Sequence, residues 1–334
     1  MKNDQSLPKL SVIVPTYKGA RFIGETLASI LGQTFSDLEV LVIDDASPDN
    51  TVDVVSAIKD SRIRLIRNES NLGVAHTRNK AAALARGQYI TPHDQDDLSE
   101  PTRFEKQIAL LEANPTINVV GSWVRTFGDS DEVWQYPVHV EDLKCRFLFG
   151  CEIAHTSAVV RASAVPVLSN LYDPDVALCS DYELFSRMSL IGGVANIPEP
   201  LVRYRRHKDA LSNTASAAMA RCARTIHIRL LSQLNLSPTD AELDLHDAIG
   251  RSAADYSDRQ QLKAIGDWLL KLQSANAAKR LFPARRFRKF LYERWHHTSR
   301  NAMRDGAASA GGFLFSKTSW TLGLASPLLD ALRL

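Results

Sequence analysis

The stretch Tyr89-Ile90-Thr91-Pro92-His93-Asp94-Gln95-Asp96-Asp97 is an apolar run that ends in three carboxylates within four positions. Gly87 precedes this run and Pro101 follows it, which predicts a strand, a loop and then a helix that begins at Pro101. Three neighbouring carboxylates repel one another unless a positive charge lies against them. The stretch therefore indicates either a site for Mg²⁺ or Mn²⁺ at the end of a strand or an acidic turn that caps a helix from Ser99 onward.

Strand-like and helix-like segments alternate on the amino-terminal side of that stretch. They are predicted, in order, at 10–14 (strand), 21–31 (helix), 38–43 (strand), 63–66 (strand) and 74–86 (helix). This alternation is typical of βαβ units and of a mostly parallel sheet. Asp44 and Asp45 follow the second strand, so two strands end in acidic residues. The carboxyl ends of such strands meet at one crevice, where Asp45 and Asp96 are expected to lie.

Six short motifs occur in order between residues 8 and 213. They are Val12-Ile13-Val14-Pro15-Thr16-Tyr17, Val42-Ile43-Asp44-Asp45-Ala46-Ser47, Asn71-Leu72-Gly73-Val74-Ala75 with Arg78-Asn79, Asp94-Gln95-Asp96-Asp97, Ser180-Asp181-Tyr182-Glu183-Leu184 with Arg187, and Tyr204-Arg205-Arg206-His207. In this order the motifs resemble those of family 2 glycosyltransferases. The resemblance implies an α/β fold of the GT-A type, with a mixed, mostly parallel sheet flanked by helices. It also implies inverting transfer of a sugar from a nucleotide diphosphate sugar, with UDP as the expected nucleotide, to an acceptor hydroxyl in polysaccharide or lipid-linked glycan synthesis.

The resemblance assigns roles to individual residues of this chain. The residues expected to bind the nucleotide are Pro15, Thr16, Tyr17, Asp45, Arg78 and Asp94. Asp96 and His207 are expected to ligate Mn²⁺ or Mg²⁺, which offsets charge on the leaving diphosphate. In a strand, residues i and i+2 point to the same side, so Asp94 and Asp96 are both expected to face the nucleotide. The plainer alternatives are helix capping together with Ser47 for Asp44 and Asp45, a solvated helix residue for Arg78, and a solvated loop residue for His207.

Asp181 is the candidate general base. Inverting transfer requires a base beside the acceptor hydroxyl, on the face opposite the leaving group. The family usually has Glu-Asp at this place, whereas this chain has Ser180-Asp181, so a contact of the missing glutamate is in doubt while the base itself is retained. Asp181 also opens a helical stretch, and its alternative role is that of a helix N-cap.

The composition narrows the class of protein. The chain has 334 residues with 23% charged residues, as in ordinary globular proteins, and its four cysteines lack the C-x-x-C spacing of a zinc site. The polar start and the lack of a long apolar run predict a cytoplasmic protein without a membrane-spanning helix. Neither G-x-G-x-x-G nor G-x-x-x-x-G-K-[ST] occurs, which argues against a dinucleotide-dependent oxidoreductase or a P-loop enzyme. The remaining alternative is a catalytically inactive protein of the same fold that binds nucleotide sugars or serves as a scaffold.

The character of the chain changes beyond Ser212. We therefore predict two domains, a GT-A catalytic domain over 1–213 and an α-helical extension over 214–334. The four-fifths of the chain before residue 261 is acidic overall, whereas 261–334 holds 13 Lys and Arg against 4 Asp and Glu, a net charge of +9. The extension is thus expected to meet an anionic partner.

Basic and aromatic residues alternate most densely at 285–295, and the apolar stretch 312–332 follows. This pattern fits a helix on an anionic membrane surface. The same composition also binds nucleic acid or forms a solvated helix face. Because lipid-linked acceptors place the reaction near lipid, we expect a peripheral position on the inner face of the cytoplasmic membrane and no nucleic acid partner.

Overall fold

The computed structural model describes residues 7–165, 171–207, 216–251, 259–304, 316–319 and 321–322. In these residues the strands are Leu10–Thr16 (β1), Leu38–Asp44 (β2), Ile63–Arg67 (β3), Tyr89–Pro92 (β4), Leu98–Ser99 (β5), Ile117–Gly128 (β6), Val133–Trp134 (β7), Val159–Arg161 (β8) and Gly193–Arg206 (β9). The helices are Ile23–Leu31 (α1), Thr51–Ala57 (α2), Val74–Leu84 (α3), Arg103–Ala113 (α4), Val140–Arg146 (α5), Ser180–Ile191 (α6), Ser216–Gln233 (α7), Asp240–Gly250 (α8), Arg259–Lys279 (α9), Ala284–Arg304 (α10) and Lys317–Ser319 (α11).

The strands form one mixed sheet in the order β3-β2-β1-β4-β8-β6-β9-β5, with β7 paired to β6. The first four strands in this order are parallel to one another, and β6 is parallel to β9. Val12 of β1 lies opposite Val40 of β2 and Thr91 of β4. β8 and β5 run antiparallel to their neighbours. The predicted mixed, mostly parallel sheet is therefore confirmed.

The core of the sheet is formed by its central strands and the helices beside them. Every residue of β2 is buried, as are all but one residue of β1, because strands covered on both faces bury nearly every side chain. Ile23, Leu27 and Ile30 of α1 pack on the sheet at helical spacing, and Phe104 and Ile108 of α4 do the same. These apolar residues fix the strand ends at which the polar residues emerge.

The helix that follows the acidic stretch begins later than predicted. α4 begins at Arg103, and Pro101 lies in the turn before it. Leu98 and Ser99 form β5 instead, and they pair with Arg203 and Val202 of β9. The prediction of a helix start at Pro101, or of a cap at Ser99, is wrong because these residues satisfy their backbone groups with a distant strand, which local sequence does not reveal.

The chain divides into two compact units. One unit comprises Met1–Val140 and Cys151–Cys222, and the other comprises Glu141–Gly150 and Ala223–Leu334. The predicted domain boundary between 213 and 214 lies outside the described residues. The predicted helical carboxy-terminal extension over 214–334 contains α7, α8, α9, α10 and α11. Of the helices in the described ranges, none is long and apolar enough to cross a membrane.

The aromatic residues of α10 occupy the core of the second unit. Phe287, Phe290 and Trp295 are each at most 4% exposed, and the indole N–H of Trp295 donates a 2.8 Å hydrogen bond to Oγ of Ser319. These rings therefore do not face outward and are not available to a lipid surface. The exposed side of α10 keeps its basic residues, among them Arg285, Arg288, Lys289 and Arg300. The apolar stretch 312–332 lies almost wholly outside the described residues.

Candidate active site

The ends of β1 and β4 are joined by the side chain of Gln95. Its Oε1 accepts hydrogen bonds from Oγ1 of Thr16 at 2.6 Å and from the backbone N–H of Tyr17 at 3.0 Å. Its Nε2 donates to the carbonyl oxygen of Tyr17 at 3.2 Å. A Cβ on Gly19 would meet this oxygen and Oγ1 of Thr16, so a larger residue there would displace both side chains from their hydrogen bond. Gln95 was not predicted, because the middle position of D-x-D carries no charge that marks it.

Asp45 holds the loop that follows β3. Its backbone N–H donates to the carbonyl oxygen of Thr16 at 2.8 Å. Its carboxylate accepts hydrogen bonds from Nδ2 of Asn68 at 2.7 Å and from the backbone N–H groups of Leu72 and Gly73, both at 2.9 Å. Burial opposes the charge of this carboxylate, but these donors outweigh it and hold its pKa below the usual range. Asp45 therefore shapes the crevice by fixing the loop.

The helix-capping alternative for Asp45 is wrong, because its neighbour makes the contact with Ser47. The backbone N–H of Ser47 donates to Oδ2 of Asp44 at 3.1 Å. Arg67 also lies 3.3 Å from the same oxygen. Hydrogen bonds through Thr16 therefore join the ends of β1, β2 and β4, with Asp44 and Asp45 at the end of β2.

Arg78 and Asp94 form a half-buried ion pair at this crevice. Nη2 of Arg78 donates to Oδ1 of Asp94 at 2.7 Å, and the guanidinium lies 5.6 Å from the ring centre of Tyr172. Burial disfavours the charged carboxylate, but the charge of Arg78 outweighs it and lowers the pKa of Asp94. With its side chain 12% exposed, Arg78 is not the solvated helix residue of the alternative.

His155 completes the surroundings of Asp94. Its Nε2 lies 2.9 Å from the hydroxyl oxygen of Tyr172, and its Nδ1 lies 3.9 Å from Oδ1 of Asp94. Burial, with the nearby charge of Arg78, lowers the pKa of His155. The imidazole is thus neutral at physiological pH, and it adds polarity but no charge to the site.

Asp96 points to a different partner. Nε2 of His207 lies 2.9 Å from Oδ2 of Asp96, and the imidazole packs 5.5 Å from the ring centre of Phe22. Asp96 lies in a turn and not in a strand, since β4 ends at Pro92. The expectation that strand alternation turns Asp94 and Asp96 to the same side is therefore wrong. His207 is brought to Asp96 by the end of β9, so it is not a solvated loop residue.

The Asp96–His207 pair fits a divalent cation. Burial and the negative charge of Asp94 raise the pKa of Asp96, and a cation would relieve this repulsion. A carboxylate oxygen and an imidazole nitrogen are suitable ligands for Mn²⁺. In the described part of the chain no three His, Cys, Asp or Glu side chains are grouped as a metal site. A cation held here would take its remaining ligands from a substrate or from water.

A buried polar network supports the acidic turn from behind. The guanidinium of Arg103 donates to Oγ of Ser99 at 2.9 Å and to Oγ1 of Thr91 at 3.0 Å. His93 lies between Ser99 and the carbonyl oxygen of Asp94, with contacts of 3.0 Å and 2.9 Å. Burial lowers the pKa of His93 to about 3 and that of Arg103 to about 9. These supporting residues come from β4, the residue that follows it, β5 and α4, and sequence motifs did not indicate this network.

Asp97 ties this turn to β9. Its Oδ1 accepts a 2.9 Å hydrogen bond from the backbone N–H of Arg205, whose Nε donates to the carbonyl oxygen of Asp96 at 2.9 Å. Burial raises the pKa of Asp97 well above its usual range. Arg205 packs between Phe22 and Phe127, with its guanidinium 4.5 Å and 4.4 Å from their ring centres. The Tyr-Arg-Arg-His motif thus positions the acidic turn.

A cavity of about 380 Å³ in the first unit brings Arg78 and Asp94, two of the residues predicted to bind the nucleotide, together with the candidate base Asp181. The other predicted site residues, Pro15, Thr16, Tyr17, Asp45, Asp96 and His207, are not part of its lining. Its lining includes Arg78, Asp94, Trp134, Tyr136, His155, Thr156, Asp181, Tyr204 and Arg206. Asp181 is the second residue of α6, so it lies in the first helical turn and is not the N-cap of the alternative. Within the described residues its carboxylate makes no hydrogen bond or ion pair. Asp181 and Asp94 thus face one space, although 87 positions of sequence separate them.

The first turn of α6 is fixed by two other residues of its motif. Nη2 of Arg187 donates to a carboxylate oxygen of Glu183 at 2.7 Å and to the carbonyl oxygen of Leu171 at 3.1 Å. The amide of Asn79 exchanges two hydrogen bonds of 2.8 Å with the backbone of Tyr172. These contacts join α6 and α3 to the segment around residue 172, and they hold Asp181 in place relative to Arg78.

The model of the family described as "Glycosyl transferase family 2" matches residues 11–164. A protein of Haemophilus influenzae described as an uncharacterized glycosyltransferase is 30% identical over 235 residues, which cover 66% of this chain and 73% of that protein. The chain belongs to glycosyltransferase family 2. It is therefore an enzyme of the transferase class.

Other relatives of this family 2 glycosyltransferase have more specific names. The Escherichia coli protein WfaP, described as a UDP-Glc:alpha-D-GlcNAc-diphosphoundecaprenol beta-1,3-glucosyltransferase, is 39% identical over 103 residues, or 31% of this chain and 41% of WfaP. Staphylococcus aureus TarS, residues 1–349 in complex with UDP-GlcNAc, matches with a TM-score of 0.61 and 18% identity over 89% of this chain and 92% of TarS. The likeness to TarS confirms the GT-A fold.

A further solved structure is the mannosyltransferase PcManGT of Pyrobaculum calidifontis, in complex with GDP-Man and Mn²⁺. It matches with a TM-score of 0.50 and 19% identity, over 98% of this chain and 84% of PcManGT. Enzymes of this fold therefore include one that was observed with a divalent metal. The roles of individual residues in this family 2 glycosyltransferase stay predictions.

Proposed function

We propose that this family 2 glycosyltransferase transfers a sugar from a UDP-linked donor to an acceptor hydroxyl, with inversion at the anomeric carbon. The observation that carries the proposal is that Asp181 lines the same cavity as the Arg78–Asp94 ion pair. The motifs give Arg78 and Asp94 to the nucleotide and Asp181 to the acceptor hydroxyl. A donor and an acceptor that meet in this cavity would reach all three residues.

Asp181 is the proposed base. It would accept the proton of the acceptor hydroxyl while that oxygen attacks the anomeric carbon from the face opposite the diphosphate. The bond between the anomeric carbon and the diphosphate oxygen breaks, and its electron pair leaves with the diphosphate. The carboxylate of Asp181 has no hydrogen-bond partner among the described residues, so its oxygens are available to the acceptor.

The donor is proposed to lie along the ends of β1, β2 and β4. The exposed ring of Tyr17 and the backbone at Pro15 and Thr16 would contact the base, and Asp45 would contribute directly or through the loop that it holds. Arg78 would contact the diphosphate. Asp96 and His207 would hold Mn²⁺ or Mg²⁺, which supplies Lewis-acid stabilisation of the leaving diphosphate when bound.

The acceptor is proposed to be a glycan or a lipid-linked sugar. WfaP is named for transfer to a sugar on diphosphoundecaprenol, and a lipid-linked acceptor would bring this chain to the cytoplasmic membrane. The exposed basic side of α10, with Arg285, Arg288 and Lys289, supports a peripheral position on an anionic surface through charge. Buried Phe287, Phe290 and Trp295 do not contribute to it.

The Asp181→Asn variant tests the proposal, because the amide keeps the size of the side chain and removes its basicity. We expect transfer from UDP sugars to fall by about 10²–10⁴-fold, while UDP affinity by calorimetry stays unchanged. Asp175→Asn, an exposed position in the turn before α6, is the matched control and should keep full activity.

Two results would contradict the proposal. A turnover of Asp181→Asn within about threefold of the unsubstituted enzyme, with chemistry rate-limiting, would remove Asp181 from the role of base. Absence of both transfer and donor hydrolysis with every UDP sugar, despite UDP binding, would favour the inactive scaffold instead.

A further inference from the structure

Arg206 lies on the cavity side of β9. Successive residues of a strand point to opposite faces, and Tyr204 and Arg206 line the cavity while Arg205 does not. Arg205 is turned toward Phe22 and Phe127 on the other side. The two neighbouring arginines of the motif therefore have different roles. Arg205 positions the acidic turn, whereas Arg206 faces the cavity.

The charge of Arg206 is not neutralised by the residues described. Four charged side chains line the cavity, and two of them, Arg78 and Asp94, are paired with each other. Within the described ranges, neither the side chain of Arg206 nor that of Asp181 makes an ion pair. The backbone carbonyl of Arg206 accepts the N–H of Asp129 at 3.2 Å. A half-buried guanidinium that lacks an acidic partner favours binding of an anion, and two oxygens of a phosphate or a carboxylate group suit its planar fork of donors.

The position of Arg206 indicates which substrate carries the anion. The rings of Trp134 and Tyr204 lie 5.2 Å apart in the same wall of the cavity, and aromatic rings with a polar edge suit the faces of a sugar. His207, the next residue of the chain, contacts Asp96 and lies outside the cavity lining. The proposed function assigns the diphosphate of the donor to Arg78, Asp96 and His207. Arg206 lies two positions along β9 from Tyr204, on the side of the aromatic pair.

We propose that Arg206 binds a phosphate group of the acceptor, so that the enzyme prefers an acceptor sugar linked through phosphate or diphosphate over a neutral glycoside. This inference rests on the proposed function and adds the chemical class of the acceptor. Arg206 acts in binding and selectivity, while Asp181 remains the proposed base. Loss of the guanidinium should therefore raise the KM of phosphorylated acceptors without a matching change in kcat.

The test compares Arg206→Gln with Arg203→Gln. Arg203 is on the same strand, is exposed and packs 4.8 Å from the ring centre of Phe127, outside the cavity, so this control removes the same charge from another face. Two acceptors are used, N-acetylglucosamine linked through diphosphate to a short polyprenol, and the octyl glycoside of the same sugar. We expect Arg206→Gln to raise the KM of the first by about tenfold or more and to leave the second, and the KM of the donor, unchanged.

A binding measurement separates this inference from the proposed function. Phosphorus NMR would follow N-acetylglucosamine 1-phosphate titrated into the full chain saturated with UDP and Mg²⁺. Binding to the unsubstituted chain and to Arg203→Gln, but about tenfold weaker binding to Arg206→Gln, would support the site. Equal binding to all three proteins, no binding to the unsubstituted chain, or a raised donor KM in Arg206→Gln would overturn it. Failure of UDP to bind would count against the proposed function alone, since the phosphate titration can be repeated without UDP.

Discussion

The second unit should lose stability in mild acid because of His246. Its imidazole stacks 4.2 Å from the ring centre of Phe149, and its Nε2 donates to the carbonyl oxygen of Leu148 at 2.8 Å. Its Nδ1 accepts the indole N–H of Trp268 at 3.2 Å, so both nitrogens are used by the neutral ring. Burial, with a smaller effect of His227, lowers the pKa of His246 to about 3. A proton on Nδ1 would break the contact with Trp268 and place a charge in the core.

The sign and size of the effect follow from the two pKa values. The unfolded chain protonates this imidazole near a pKa of about 6.5, so between this value and about 3 the unfolded state binds one more proton than the folded state. Unfolding is therefore favoured as pH falls, and stability rises with pH by up to about 1.4 kcal/mol per unit. From about pH 7.5 to about pH 5, the loss for this one residue is about 2 kcal/mol. Most carboxylates have pKa values below about pH 5, so they contribute little to the pH dependence between about pH 7.5 and about pH 5.

The assay is urea unfolding at several pH values within that window, with His246→Gln as the variant. The amide nitrogen of Gln can still donate to Leu148, whereas the partner of Trp268 is lost, so the variant is less stable at neutral pH. The informative quantity is the slope of stability against pH, which should be smaller in the variant by about one proton. His296→Gln, an exposed position of α10, should keep the slope of the unsubstituted chain. Equal slopes for the unsubstituted chain and His246→Gln would show that His246 does not cause the loss of stability in mild acid.

Two further predictions concern the metal and the membrane. Asp96→Ala should remove the dependence of UDP affinity on Mn²⁺ in calorimetry, because it deletes one of the two proposed ligands. The affinity for anionic vesicles at low salt, measured by co-sedimentation, should fall by about 100-fold in a triple variant that carries Arg285→Gln, Arg288→Gln and Lys289→Gln. The reason is that each basic residue contributes about 1 kcal/mol to the binding free energy.

Each of these predictions has a matched control. Asp53→Ala removes an exposed carboxylate from α2 and should leave the metal dependence of UDP binding unchanged. Combined Lys59→Gln, Arg125→Gln and Arg203→Gln removes three exposed charges from the first unit and should leave vesicle binding unchanged. Metal-independent UDP binding by the unsubstituted chain, or a full chain that stays in the supernatant at low salt, would contradict the respective prediction.

The strands of the first half were predictable because their chemistry is local. β1, β2 and β4 are buried on both faces, and such strands appear in the sequence as short continuous apolar runs. The polar residues at the strand ends were predictable because they follow these apolar runs directly in the sequence. The crevice that gathers Thr16, Asp45 and Gln95 follows from parallel strands, whose carboxyl ends lie at one edge of the sheet.

The partners of the site residues were not predictable in this way. Asp94 and Asp96 are two positions apart, yet one pairs with Arg78 and the other with His207, because the chain turns after Pro92. Asp45 accepts three hydrogen bonds from a loop more than twenty positions away. Such pairings depend on which distant segments the strand order of the sheet brings together, and that order cannot be predicted from local sequence.

The family, the alternation of strands and helices, and the residue types at the strand ends all follow from the order of amino acids. The shared cavity of Asp181, Arg206 and Asp94, and the burial of the aromatic residues of α10 in a core, become apparent from the folded chain. Helical periodicity shows that one side of α10 is apolar, and both a lipid surface and other helices satisfy an apolar side equally well. The choice between them is made by the packing of α9 and α11 against that side, because burying the rings of Phe287 and Trp295 within the protein removes them from water without any membrane.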